Sequence, residues 1–257
     1  MMQKPETRRA KPLLLALVWG MLIQNGAVRA EDLLTLSDTT ISGVMGLASD
    51  YKFRGVDTGT GEAAIFGALT AARSGGGYGT LWASSNGDTA NGSEYRLRLG
   101  YATRLDVIAG LDATLDVHLT AYIHTGSPQD FFELGAKLSA NNVWRPRSVG
   151  YWGLAISNDY LGDAGTSVYG YAGYTQPIQS TEFSGLAELG VLRTSEAQWR
   201  NAQGDSRDLT VNYRLGLQTR ISGVDLELVY AGAAVREAFC PDQRCKGAGI
   251  LTLKKVF

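Results

Sequence analysis

Several things that would define a soluble enzyme or a helical membrane protein are scarce in this chain. Among 257 residues there are two histidines, two cysteines and six prolines. After residue 30 no apolar run approaches the roughly 18 residues that a transmembrane helix requires. A membrane location for the rest of the chain therefore requires a closed sheet, because only helices and closed barrels satisfy every backbone polar group in lipid. A surplus of positive charge is missing as well. Removing residues 1–30 takes five basic residues from 24 and one acidic residue from 25, leaving 19 against 24 and a net charge of −5. Nucleic acid is thus not an expected partner, since phosphate binding needs clustered excess positive charge. No serine sits in a recognisable nucleophile motif, so no catalytic residue, cofactor or metal site is expected.

What the chain does have begins at its start. Lys4, Arg8, Arg9 and Lys11 precede the apolar stretch from Leu13 to Ile23, and Val28-Arg29-Ala30 is a small-residue site just before Glu31. This is the pattern of a cleaved secretory signal peptide over 1–30, with the functional domain over 31–257. The 32 glycines and 12 tyrosines suit a strand-rich chain with many tight turns.

The period of the hydrophobic pattern is two. In Glu94 to Leu105, Tyr95, Leu97, Leu99, Tyr101 and Leu105 fall on one face and Glu94, Arg96, Arg98 and Arg104 on the other. The stretches Leu111–His124 and Asp208–Ile221 repeat this alternation. Strands are predicted at 40–56, 63–74, 78–86, 94–105, 111–124, 130–140, 149–157, 167–175, 181–194, 208–221, 224–235 and 247–257. About twelve strands, an even number, is what a single-chain bacterial barrel requires, and each is near the ~9–11 residues that cross a bilayer at a tilt. The fold class expected is all-β: a transmembrane antiparallel up-and-down β-barrel of about 12 strands.

Connection lengths agree with that reading. One set (57–62, 87–93, 125–129, 158–166, 195–207, 236–246) is longer on the whole than the other (75–77, 106–110, 141–148, 176–180, 222–223), as expected of extracellular loops and periplasmic turns. The stretch 141–148 is an exception, being long for a periplasmic turn. A soluble barrel also alternates, but aromatics recur near strand ends on the apolar face (Tyr51, Phe53, Tyr95, Tyr101, Phe132, Tyr213), which suggests interfacial girdles around a lipid-facing wall.

Two segments carry a family resemblance. Ala48-Ser49-Asp50-Tyr51-Lys52-Phe53-Arg54-Gly55-Val56 and the ending Leu251-Thr252-Leu253-Lys254-Lys255-Val256-Phe257 resemble the TorF-type porins of Gram-negative bacteria. The resemblance implies an outer-membrane barrel and a channel. In such a protein Leu251, Leu253 and Phe257 are the expected assembly signal, read by the outer-membrane assembly machinery. Lys255, where a bulky apolar residue is common, departs from that signal.

The expected function is therefore a passive channel for small polar or charged solutes in the bacterial outer membrane, with outer-membrane lipid as its surroundings. Two alternatives remain: a barrel-embedded enzyme acting on lipid or lipopolysaccharide, and a structural barrel whose loops bind a partner. The expected lumen-lining residues are Asp50, Lys52, Arg54, Arg96, Arg98, Asp112, Asp116, His118, Glu133, Lys137, Arg214 and Arg220. Arg54, Arg96 and Arg98 are expected at one height near the outer mouth, where a ring of positive charge favours anions. His118 and His124 share the polar phase of one strand but lie roughly 20 Å apart at ~3.3 Å per residue, too far for one site. Cys240 and Cys245 are expected to form a disulfide in the last outer loop, the default for a cysteine pair in an exported chain.

Overall fold

The computed structural model describes residues 34–36, 38–57, 61–85, 92–105, 112–125, 129–201, 203–240 and 244–257. The signal-peptide reading lies outside them, as do the connection 106–110 and most of 87–93. Twelve strands form the wall: β1 (Thr39–Ala48), β2 (Ala64–Arg73), β3 (Gly77–Ser84), β4 (Glu94–Leu105), β5 (Asp112–His124), β6 (Phe131–Asn141), β7 (Val149–Ser157), β8 (Ser167–Pro177), β9 (Ser184–Thr194), β10 (Leu209–Ile221), β11 (Val224–Ala233) and β12 (Ala248–Val256). Each pairs antiparallel with the next, and β12 pairs back onto β1. The result is a closed antiparallel β-barrel, a form with no free sheet edge.

The seam runs from Thr252↔Ala48 to Val256↔Val44. Phe257 extends it by one step, exchanging backbone hydrogen bonds of 3.1 and 2.9 Å with Gly43. Among the described residues the helical elements are short 3₁₀ turns, Tyr160–Gly162 and Glu237–Phe239, and no helix is long and apolar enough to cross a membrane.

The two-residue period becomes an inside-out barrel. Met45, Leu47, Ile65, Leu69, Leu97, Leu99, Leu119 and Leu134 are exposed on the outer wall, whereas Glu94, Thr120, Glu133, Lys137, Asn212 and Lys254 are buried within. Tyr95, Tyr101 and Phe132 belong to the exposed outer belt. Many lumen glycines make room for a ring on the neighbouring strand. Gly100 stands opposite Tyr78, Gly153 opposite Tyr171 and Gly173 opposite Tyr151, and a Cβ on any of these glycines would overlap the facing tyrosine. The chain's abundance of Gly and Tyr is thus partly a packing device of the wall, beyond the turns that the composition suggests.

The predicted strand positions match the observed ones closely, with one large difference. The first strand, expected over 40–56, leaves the wall after Ala48, its last residue paired to β2 and β12. The long turn 142–148 also has a structural reason. Val143 is buried against Ala113 and Ala140, outward-phase residues of β5 and β6, while Trp144 packs on Tyr174 with ring centroids 5.1 Å apart. The Ser148 hydroxyl ties the bend by donating to the carbonyls of Val143 and Arg145, at 2.5 and 2.7 Å. The turn therefore folds back over the outside of the wall and covers its apolar rim, which a two-residue turn is too short to do.

Candidate functional site: the barrel lumen

After Ala48 the chain turns inward and crosses the lumen as a small hairpin. Lys52–Phe53 pairs with Val56–Asp57 around Arg54 and Gly55. Both turn residues have positive φ, 52° and 78°, the backbone required by the tight two-residue turns of β-hairpins. Gly55 meets the backbone of Gly232 on β11 so closely that a Cβ would collide with it. Only glycine fits there, for conformation and for space alike.

Successive residues of this hairpin meet successive sectors of the wall. The Tyr51 hydroxyl donates to Glu94 on β4 at 3.1 Å and accepts a hydrogen bond from Arg96, and the Tyr51 ring lies 5.8 Å from that of Trp82 on β3. Phe53 packs on Tyr122 of β5 and Phe131 of β6, with centroids 5.5 and 6.4 Å away. Arg54 Nη2 donates to both carboxylate oxygens of Glu133 on β6 at 2.7 Å. Its guanidinium lies 3.9 Å from the ring centre of Tyr169 on β8 and 5.2 Å from that of Tyr160, geometry in which a cation is attracted to the ring faces. Val56 then packs on Ala233, Cys240 and Cys245 at the far side.

This geometry corrects three expectations. Asp50, Lys52 and Arg54 are not on the barrel wall, because the segment carrying them has left the sheet. Lys52 makes a 3.5 Å ion pair with Asp50. Tyr51 and Phe53, expected on the outer face, point into the lumen, since both sides of a hairpin inside a barrel meet the interior. Arg54, Arg96 and Arg98 do not form a free positive ring. Arg54 is bound to Glu133, Arg96 is ion-paired with Glu94, and Arg98 Nε donates to Thr120 at 3.0 Å.

Beyond the hairpin, toward the short-turn end, charges of alternating sign follow one another around the wall. Asp116 on β5 stands opposite Lys137 on β6, and also accepts from the Tyr78 hydroxyl at 2.7 Å and lies 3.4 Å from His118. Tyr151 donates to Glu188 at 2.5 Å, Arg214 pairs with Glu227 at 2.6 Å, and Asp225 stands opposite Lys254 and 3.4 Å from Arg220. Arg104 and Asp112 pair at 3.6 Å near the rim. The inward positions of β1 to β3, from Ser42 and Val44 through Ala68 and Thr70 to Thr80, carry no charge, so the lumen has a charged arc and a neutral arc. His124 lies 4.0 Å from Glu94 and stacks on Phe131, well away from His118. Among the described residues no cluster of His, Cys, Asp or Glu is arranged to hold a metal.

The Cys240 and Cys245 sulfurs are bonded at 2.01 Å in the β11–β12 connection. Glu94, Tyr51 and Tyr160 join the lumen site although no motif in the sequence marks them. One available signal was Gly55: an isolated glycine inside an alternating run marks a bend or a close approach of backbone.

A closed barrel with an apolar outside, a polar inside and a chain segment folded across the lumen has the architecture of a porin. The chain belongs to the Gcw_chp family, described as a bacterial protein of unknown function, whose model matches residues 34–255. Among solved structures it is similar to the NanC porin, at 13% identity and a TM-score of 0.53, covering 84% of this chain and 98% of that one. It is also similar to the KdgM porin, at 4% identity and a TM-score of 0.50, covering 84% and 96%. These likenesses are of fold. No curated protein matches the chain.

Proposed function

We propose that this protein is an outer-membrane channel for small polar or charged solutes, narrowed at its long-loop end by the hairpin 49–57. The observation that carries the reading is the inversion of the wall: large apolar side chains such as Leu69, Leu97 and Leu134 are exposed all along a closed barrel whose buried side chains are charged and hydroxylated. A wall of that kind suits lipid outside and water inside. The signal-peptide pattern and the similarity to the NanC and KdgM porins support the same location. Leu251, Leu253 and Phe257 are all exposed on the outer face of the seam, where assembly machinery has access to them during insertion. With Arg54 and Arg96 neutralised by Glu133 and Glu94, the channel is expected to favour anions much less than a ring of three free arginines would.

A second reading, a structural barrel with partner-binding loops, is favoured by one observation: rings and paired charges occupy the lumen at the long-loop end. Solute entry into liposomes separates the two. Proteoliposomes are expected to swell in small amino acids and sugars faster than protein-free liposomes, with the excess falling off steeply as the solute grows. Swelling equal to that of protein-free liposomes for even the smallest solutes supports the structural barrel.

A further inference from the structure

We propose that the Cys240–Cys245 bridge, with Arg244 beside it, is a strap that holds the hairpin 49–57 across the lumen, and so sets how far the channel is closed. Its consequence for solute passage rests on the channel reading above, whereas the strap itself does not.

The hairpin is too small to hold its own position. Its sheet consists of two residue pairs, Lys52↔Asp57 and Phe53↔Val56, and a two-stranded ribbon is marginal in water even when longer. It must be fixed from outside, and besides the Tyr51 and Phe53 contacts already described the structure shows two fixings, of its turn and of its second strand. On one side Arg54 is bound to Glu133. On the other, Arg244, next to the bridge, makes three polar contacts with the hairpin. The Asp57 N–H donates to the Arg244 carbonyl at 2.9 Å, Arg244 Nε donates to the Asp57 carbonyl at 2.8 Å, and Lys52 Nζ reaches the Arg244 carbonyl at 3.5 Å.

Arg244 is placed to do this by the bridge next to it. Cys240 and Cys245 are both buried, the Cys245 N–H donates to Cys240 Sγ at 3.0 Å, and the Cys245 carbonyl accepts from Ala233 N–H at 2.9 Å at the end of β11. The loop is thus fastened to the wall at one side and to the hairpin at the other. Val56, Trp199 and Val235 pack around Ala233 and the two cysteines, and Trp199 Nε1 donates to Thr210 at 2.8 Å, which ties in the β9–β10 connection. A cross-link closing so few residues adds little to the stability of a whole domain. Its effect here is local, since it restricts the backbone of the one residue on which the hairpin's second strand rests.

Hydrogen exchange of the purified full-length protein, folded in lipid nanodiscs, tests this directly. The substitutions are the pair Cys240→Ser and Cys245→Ser together, and separately Arg244→Ala, which keeps the bridge. The double cysteine variant is expected to speed exchange of the amides over 52–57 roughly tenfold, and Arg244→Ala, which loses the Nε bond but keeps the carbonyl that accepts from Asp57, to speed it about threefold, since those amides then exchange by local opening of the hairpin, while β5 amides such as Val117 and Leu119 stay protected. Unchanged exchange over 52–57, with β5 still protected, overturns the strap. Should the double cysteine variant lose the β5 protection, Arg244→Ala decides by the same criterion. Liposome swelling with the same proteins keeps the two claims apart. Faster exchange with faster solute entry supports both, whereas faster exchange in proteins that all admit no solute overturns the channel reading and leaves the strap standing.

Discussion

Cells producing the protein without residues 50–57 are expected to take up hydrophilic compounds that the wild-type strain excludes. The deletion takes away the segment that reaches from Tyr51 beside Glu94 to Asp57 beside Arg244. It leaves the wall unbroken, because Ala48 and Ala64 stand opposite each other in the β1–β2 ladder and the remaining residues 49 and 58–63 are enough to join them. With the Phe53 and Arg54 side chains gone, the rings of Tyr122, Phe131, Tyr160 and Tyr169 lose the partners that fill the space between them. A twelve-stranded barrel lies between small barrels filled by side chains and large ones with open channels, so a single crossing segment decides which of the two it resembles. Uptake is expected to rise at least severalfold at equal barrel content in the outer membrane. Unchanged uptake would mean that the wall side chains alone close the lumen.

The second large effect is expected at the Arg54–Glu133 pair. Both side chains are almost fully buried, and the contact is a charge-assisted one made to both carboxylate oxygens. Removing one member of such a pair strands the other charge in a dry environment, at a cost of about 3–5 kcal/mol, while replacing both by apolar groups of similar size is often neutral. The cost falls on docking of the hairpin, because the wall strand that carries Glu133 is held by its own ladders to β5 and β7. Arg54→Ala and Glu133→Leu are each expected to raise solute entry in the swelling assay. The double variant Arg54→Met with Glu133→Leu is expected to bring it back toward wild type. Three equally leaky proteins would show that docking needs the ionic contact itself and that a stranded charge is not what opens the single variants.

How much of this was legible in the sequence follows from how far apart the interacting residues are. The strand from Glu94 to Leu105 could be read to the residue, because an apolar outside and a polar inside force every second side chain to the same face. The Arg104–Asp112 pair was legible too, since a hairpin connection brings the two residues together. The inward hairpin was not. Tyr51, Lys52, Phe53 and Arg54 alternate just as a wall strand does, because the hairpin is itself a short ribbon among rings and charges, and the pattern records the period without saying which surface the segment faces. Glu133 is 79 residues from Arg54, and Arg244 is 187 residues from Asp57. Contacts across a closed barrel depend on which strands end up facing one another across the lumen, which a local period does not encode. The expected ring of Arg54, Arg96 and Arg98 failed chiefly at Arg54, whose partner lies across the lumen; Arg96 pairs with Glu94 on its own strand and Arg98 meets Thr120 directly opposite on β5.

The account stands or falls on whether the hairpin closes a passable lumen, and single-channel recording in planar bilayers tests that most directly. Wild-type protein and protein lacking residues 50–57 are compared in the same lipid and salt. The account predicts small unitary steps from the wild type and steps several times larger from the shortened protein. Steps of equal size, or no conductance from either protein, would contradict it.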